Sequence, residues 1–283
     1  MNKAHWKALE YMRDGMFVPP ELTEQMIKGI RKKKSVGVAY SFEMLETLHA
    51  KGFKDVTLIV EERPMKYIIN ICSKYGYEVK TMNEIEDMKF DLVIGNPPYG
   101  KNANLAIDFI NRAADYSDTL IMVLPKTLKK KSAVNRVRDD LHLIEHVDNP
   151  DDAFGIESGL RTCNQTWVLD KTKKREPEIV RKKSELKDYF EFVDMASSDI
   201  AIGRVGRKAA GRVFGREDRK GNEKKYEDKS PNSHYFIKVK KKAVLKQLRS
   251  LEEEMKALAD DTVSNPSLSI DDIAELYLEK YAQ

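Results

Sequence analysis

Cysteine is nearly absent: Cys72 and Cys163 are the only two in 283 residues, and both lie in apolar or helix-forming surroundings. That excludes a disulfide framework and a thiolate metal site. The five histidines form no metal-ligand pattern either, so no metal is expected. No apolar run approaches the roughly 20 residues that cross a bilayer. The opening MNKAHWKALEYMRDG lacks the apolar centre of a signal peptide, so no membrane partner is expected and the cytoplasm is the expected compartment. Internal repeats and low-complexity tracts are also missing.

What is present is an ordinary core-forming composition, 41% hydrophobic, enough for one main domain and a smaller appendage. The net charge of +4 is mild but uneven. From Lys171 to Lys229 there are 18 Lys or Arg against 12 Asp or Glu, whereas Leu251 to Gln283 has 9 acids against 2 bases. A basic middle suits a polyanion better than the acidic tail does.

The most informative stretch is FDLVIGNPPYG, Phe90 to Gly100. Its apolar first part predicts a short strand buried on both faces of a parallel sheet. Asn96, Pro97, Pro98 and Tyr99 then end the strand, because two prolines remove donors and fix φ. An amide and an aromatic ring are thereby held at the carboxyl edge of a sheet, where open α/β folds bind ligands. The Asn96 side-chain oxygen and the Pro97 carbonyl are two adjacent acceptors that suit an NH2 group. Gripping both hydrogens draws a delocalised amine toward tetrahedral geometry and aims its lone pair at an electrophile. Tyr99 offers a stacking face, worth roughly 1–3 kcal/mol per base. A Pro-rich turn with no chemistry is the plainer alternative.

Asn-Pro-Pro-Tyr after a buried strand resembles the catalytic motif of the amino-methyltransferases, the S-adenosylmethionine-dependent enzymes that methylate adenine N6 in DNA and some RNAs. Enzymes acting on guanine amines or a glutamine carboxamide share it. The resemblance implies a Rossmann-like methyltransferase fold: a seven-stranded, mostly parallel sheet whose last strand is antiparallel.

The rest of the chain follows that order. GMFVPPELTEQMI, Gly15 to Ile27, predicts a helix with Pro in its first turn. It resembles the family's N-terminal element, which implies that Phe17 and Pro19 touch the cofactor's methionine part; an ordinary helix start is the alternative. Strands are expected at Ser35–Tyr40 and Val56–Val60, and helices at Phe42–Ala50 and from Pro64 through Met65 onward, a βαβαβ half completed by FDLVIG. One family feature is lacking. Ala39-Tyr40-Ser41-Phe42 stands where Gly-x-Gly is usual, which bears on how Tyr40 and Ser41 approach a cofactor. Glu61, just past the second strand, suits a ribose diol because a carboxylate accepts both hydroxyl hydrogens; a surface acid is the alternative. Asn83 lies where the third strand should end, near an adenine ring.

Next come a helix at Ala103–Ala114 with Leu105, Ile107, Phe109 and Ile110 inward, a strand at Thr119–Leu124, and strands at Leu141–Val147 and Arg161–Leu169. Lys101, Lys126, Lys129 and Lys130 lie at the same edge as Asn96, as phosphate contacts or as a solvated loop. Phe154 is the family-implied second aromatic that sandwiches a flipped base with Tyr99, or else a core residue.

From Lys171 a charged connector, read as about one helix and a turn, leads to short strands punctuated by glycine. Arg204, Arg207, Lys208 and Arg212 interleave with Gly203, Gly206 and Gly211, and glycine permits close approach of backbone to a phosphate. With SHYFIKV, Ser233 to Val239, this resembles the C-terminal half of adenine-methyltransferase-like proteins of phages and bacteria. The resemblance implies a target-recognition element; a solvated basic β-subdomain is the alternative. Ala243–Leu258 and Ser269–Tyr281 predict two amphipathic helices, whose Leu245, Leu248, Leu251, Met255 and Leu258 stripe packs on its own domain or on a second copy.

The sequence therefore predicts a catalytic domain over 1–170, with residues 15–27 a cofactor-side helix. A basic β-rich subdomain spans 171–240 and a helical tail 241–283. The function implied is methylation of adenine N6 in double-stranded DNA by base flipping, with S-adenosylmethionine as methyl donor. A homodimer or a restriction partner accompanies this expectation. Another amine (RNA adenine, cytosine N4, protein glutamine) and a nucleic-acid-binding subunit that has lost the cofactor remain as alternatives.

Overall fold

The computed structural model describes residues 17–62, 64, 66–154, 159–215, 229–263 and 265–282. The start of the Gly15–Ile27 stretch and Met65 lie outside them. The chain divides into two compact units between Pro177 and Glu178, inside the charged connector.

The first unit is a seven-stranded sheet. Its elements are α1 (Pro20–Met26), β1 (Val36–Ala39), α2 (Met44–Ala50), β2 (Val56–Val60), α3 (Lys66–Tyr75), β3 (Glu78–Thr81), β4 (Leu92–Gly95), α4 (Asn104–Ala113), β5 (Thr119–Pro125), α5 (Lys131–Val134), β6 (Leu141–Asp148) and β7 (Thr162–Leu169). The strand order is β3-β2-β1-β4-β5-β7-β6. β7 runs antiparallel between β5 and β6, while β3, β2, β1, β4 and β5 are mutually parallel. This is a Rossmann-like sheet of seven strands, mostly parallel, with the antiparallel last strand that the sequence leads one to expect. β1, β2, β4 and all but the first residue of β5 are buried along their whole length, as strands covered on both faces must be.

Direction reverses between β1, which leads toward β2 and β3, and β4, which leads toward β5. That pair is the topological switch point, where parallel sheets leave a crevice at their carboxyl edge. β1 and β4 approach closely there. A Cβ on Gly95 would lie 2.3 Å from the Ala39 carbonyl oxygen, so only glycine fits.

Leu105 departs from its expected inward position and is 51% exposed. The buried face of α4 is Ala106, Ile107, Phe109, Ile110 and Ala113, so Leu105 falls outside the apolar stripe and covers Gly100 instead. The connector is also not a helix. It forms only one 3-10 turn, Lys183–Leu186, because Pro177 interrupts any helical run through it.

In the second unit, β8 (Phe190–Val193), β9 (Ile200–Gly203), β10 (Val213–Gly215) and β11 (His234–Val239) form an antiparallel sheet ordered β10-β9-β11-β8. Ile200, Ile202, Phe190 and Ile237 pack with α6 (Lys242–Ser250), α7 (Glu252–Asp260) and α8 (Ile270–Tyr281) in one core. The helices of residues 241–283 thus share a core with the basic sheet. Leu248, Leu251 and Met255 of the stripe are buried in that core.

The helix expected from Ala243 to Leu258 is broken at Leu251. Glu252, Glu253 and Glu254 begin the second piece, where negative charge meets the positive helix end. Glu252 also accepts a hydrogen bond from the Val213 N–H at 3.1 Å, tying the break to the edge strand β10. The predicted cap of α8 is present: Ser269 accepts from the Asp272 N–H at 3.0 Å, and Asp272 accepts from the Ser269 N–H at 2.8 Å.

Candidate active site

Because β3, β2, β1 and β4 are parallel neighbours, the residues that follow them stand in a row along one edge: Asn83, Glu61, Tyr40 and Asn96. Four positions singled out from four separate stretches of sequence are brought together by strand order alone.

Asn96 sits at the switch point and is only 7% exposed, with its N–H donating to the Ala39 carbonyl at 3.2 Å. Pro97 is buried and Pro98 exposed. Tyr99 is buried at 7% exposure, and its hydroxyl has no partner among the described residues. Burial pushes its phenol pKa far above the usual value. The carbonyl of Tyr99 accepts from the Leu105 N–H at 3.2 Å, anchoring the loop to the first turn of α4. In this conformation the Tyr99 ring is packed, so stacking on it requires the loop to shift.

Three non-glycine residues among those described have positive φ: Tyr40 (60°), Asn102 (54°) and Ala103 (60°). All three lie in the two loops that leave β1 and β4. Left-handed backbone is costly for such residues and tends to persist at functional sites. Tyr40 thereby makes, with a bulky side chain, the turn that glycine would make freely. Its hydroxyl donates to the Glu61 carboxylate, and its ring meets Phe109 edge-on at 5.3 Å between centroids. The Arg112 guanidinium lies 3.9 Å from the same Glu61 oxygen. Glu61 is thus oriented to accept a hydroxyl hydrogen, the property a vicinal diol needs.

Val18 is buried, and its N–H donates to Glu43 at 3.0 Å, while Phe17 is exposed and Pro19 half-buried at the start of α1. The carboxylate of Glu43 therefore pins the N-terminal segment to the loop after β1. Burial raises the Glu43 pKa to about 7, partly offset by the Val18 hydrogen bond. Sequence reasoning missed Glu43, which reads as one more helix-start acid; only its burial sets it apart. Ser41 beside it is buried, and Asn83 is exposed in a 3-10 turn, Met82–Ile85, after β3.

Among the basic residues two situations differ. Lys126 lies 3.5 Å from both Asp148 and Asp151, and Lys129 lies 3.3 Å from Asp148. These lysines are engaged by carboxylates that a phosphate would have to displace. Lys101 is exposed and Lys130 half-buried. In the second unit Arg204, Arg207, Lys208 and Arg212 are all exposed, and among the described residues none forms an ion pair. Arg204 lies over the Tyr235 ring at 5.5 Å and Arg212 over Phe214 at 5.7 Å, contacts that hold each guanidinium while leaving it accessible.

Two of the three glycines between these bases, Gly203 and Gly211, serve the protein's own packing. A Cβ on Gly203 would lie 1.8 Å from the Ala209 carbonyl oxygen, and one on Gly211 2.6 Å from the Lys256 nitrogen of α7. Phe154 is half-buried and packs on the core under α1 and α2. Among the described residues no group of side chains is set to hold a metal, and no helix is long and apolar enough to cross a membrane.

Residues 23–141 match the Eco57I restriction-modification methylase family. The matched span carries β1 to β5 with Tyr40, Glu61 and Asn96, and stops before β7 and the second unit. No curated protein matches the sequence. Among solved structures, the 23S rRNA methyltransferase ErmE is 15% identical, with 60% of this chain and 74% of that chain covered at a TM-score of 0.40. A chain from the structure of a type I R-M system is 13% identical, with 58% and 45% covered and a TM-score of 0.41. The Pyrococcus abyssi tRNA (uracil-54, C5)-methyltransferase, in complex with S-adenosyl-L-homocysteine, is 14% identical, with 53% and 37% covered and a TM-score of 0.36. The chain thus spans less than half of the last two. None of these likenesses bears on substrate.

Proposed function

We propose that this protein transfers a methyl group from S-adenosylmethionine to the N6 amine of adenine in double-stranded DNA. The observation that carries this reading is the position of Asn96 and Pro97 at the switch point, one strand from Tyr40 and two from Glu61. The match to restriction-modification methylases over the same strands supports methyl transfer.

The residues present fit the methyl donor. Glu61 already accepts a hydroxyl hydrogen, and the left-handed Tyr40 supplies the turn that glycine supplies elsewhere. Glu61 would hold the ribose and the Phe17–Pro19 segment, fixed through Val18 by Glu43, would cover the methionine part. When bound, the sulfonium supplies an electrophilic methyl. Asn96 and Pro97 accept the two amine hydrogens and orient the nitrogen lone pair; Tyr99 and Phe154 hold the ring.

Besides the shift of the Tyr99 loop, a second adjustment is required, because the Tyr40 hydroxyl holds the carboxylate that the ribose needs. Tyr40→Phe keeps the contact with Phe109 and frees Glu61. It is expected to tighten cofactor binding about fivefold, the equivalent of one modest hydrogen bond. Glu61→Gln is expected to weaken binding about tenfold. Isothermal titration calorimetry measures both; equal affinities for all three proteins would remove Glu61 from the site. The same Tyr40–Glu61 bond favours a second reading, a nucleic-acid-binding subunit without cofactor, and absence of heat with wild type and Tyr40→Phe alike would select it.

The turn from Arg204 to Arg212 meets the phosphate backbone. Alanine at Arg204, Arg207, Lys208 and Arg212 together is expected to weaken DNA binding. It should also flatten the dependence of log affinity on log salt by about 0.9 for each phosphate no longer neutralised. Incubation with radiolabelled methyl donor and unmethylated DNA or RNA, followed by nucleoside separation, tests the whole proposal. Label in N6-methyladenine from DNA is expected; label confined to RNA or to another amine would overturn the substrate.

A further inference from the structure

Beyond the edge residues, the first unit buries a polar pair that no part of the reading above uses. Asn149, just past β6, and Asn164, on β7, are 3% and 6% exposed. The Asn149 amide NH2 donates to the Thr162 hydroxyl at 3.0 Å and to the Asn164 side-chain oxygen, Oδ1, at 3.2 Å. That leaves one acceptor, Asn149 Oδ1, and one donor, Asn164 Nδ2, buried with no partner among the described residues. Leaving a buried polar atom unsatisfied costs about 1–3 kcal/mol, and here an acceptor and a donor are left in the same hydrogen-bonded pair.

Their place in the sheet says what they face. Gly95 pairs with Met122, so Asn96 lies in the next row, beside Val123; Val123 pairs in turn with Asn164. Side chains alternate along a strand, and Ile94, Ile121 and Val123 share one core face. Asn96, Val123 and Asn164 therefore lie in one row on one face, with Asn96 and Asn164 two strand spacings apart, about 10 Å between backbones. Phe154, the second aromatic of the proposed site, packs against the same face.

We propose that Asn164 is a specificity-determining residue for the target base and Asn149 the residue that positions it. While Asn96 and Pro97 grip the amine, Asn164 Nδ2 donates to a ring nitrogen, and Asn149, by donating its own NH2 to Asn164 Oδ1, holds that amide in the orientation that presents Nδ2. The inference rests on the adenine reading. It predicts that a heterocycle lacking the contacted nitrogen is discriminated against, because the buried donor would again be left unpaired.

The test uses oligonucleotides in which the target adenine is replaced by its 1-deaza, 3-deaza or 7-deaza analogue, with binding read by fluorescence anisotropy and transfer read separately. Wild type is expected to bind one analogue about tenfold more weakly than adenine. Asn164→Leu is expected to lose that discrimination for that analogue alone. Asn149→Leu/Asn164→Leu, which replaces both amides by apolar groups of similar size, is expected to keep or raise the urea midpoint while weakening adenine binding at least tenfold. Lowered stability with unchanged discrimination would overturn the proposal and make the pair structural, bridged by water. Failure of the parent reading looks different: wild type would bind and discriminate yet transfer no methyl. Equal binding of all analogues by wild type would overturn the inference while leaving methyl transfer standing.

Discussion

Asn96→Ala is expected to lower methyl transfer by about 10²–10³-fold, the effect of removing one preorganised polar group from a developing charge. The side chain is buried at the end of β4, and its backbone N–H remains bonded to Ala39 in the variant, so the strand and the crevice persist. The loss should therefore fall on turnover more than on cofactor affinity, which the proposed function assigns to Glu61 and the N-terminal segment. Asn96→Asp keeps an acceptor oxygen in place and should retain more activity than alanine does. Single-turnover transfer of labelled methyl, beside calorimetric cofactor binding, separates the two. Near wild-type turnover in Asn96→Ala would mean that the amine is gripped elsewhere.

A different kind of loss is expected from Gly203→Ala. The new methyl would stand 1.8 Å from the Ala209 carbonyl oxygen, a backbone atom that cannot rotate aside. The Gly203 N–H donates to the Arg212 carbonyl, and the Gly203 carbonyl accepts from the Gly211 N–H. Relief thus requires opening the turn that carries all four exposed bases. The expected destabilisation of the second unit is about 3 kcal/mol, the upper end of overpacking, with DNA affinity falling in parallel. Gly206 provides the comparison. It has φ of +100° but nothing within 4 Å of an added Cβ, so Gly206→Ala should cost about 1 kcal/mol, from backbone strain alone. Urea unfolding followed by circular dichroism orders the two variants. If Gly206→Ala proves the more damaging, the close packing of the turn is not what holds it together.

Local chemistry carried much of the fold in the sequence alone. Apolar runs such as Val56–Val60, breakers such as Pro97 and Pro98, and the Ser269 cap act over a few residues, so their strands, loop end and helix start can be read without neighbours. The placement of Asn96 and Glu61 at strand ends followed from the same signals. Other features depend on partners distant in sequence, and only the tertiary structure decided them. Nothing in Ala39-Tyr40-Ser41-Phe42 says that a tyrosine adopts a left-handed backbone and bonds Glu61, 21 positions away. The bases at Lys126 and Lys129 could be read as phosphate contacts or as a solvated loop, and only strand pairing set Asp148 beside them. Gly203 and Gly211 suggested room for a ligand, whereas the room is taken by Ala209 and α7. Asn149 and Asn164 are ordinary as letters, and become a hydrogen-bonded pair, with Asn164 in the Asn96 row, only through the β5–β7–β6 register. Propensity and turn chemistry act between near neighbours; burial, register and ion pairing arise only when the closed sheet sets distant segments side by side.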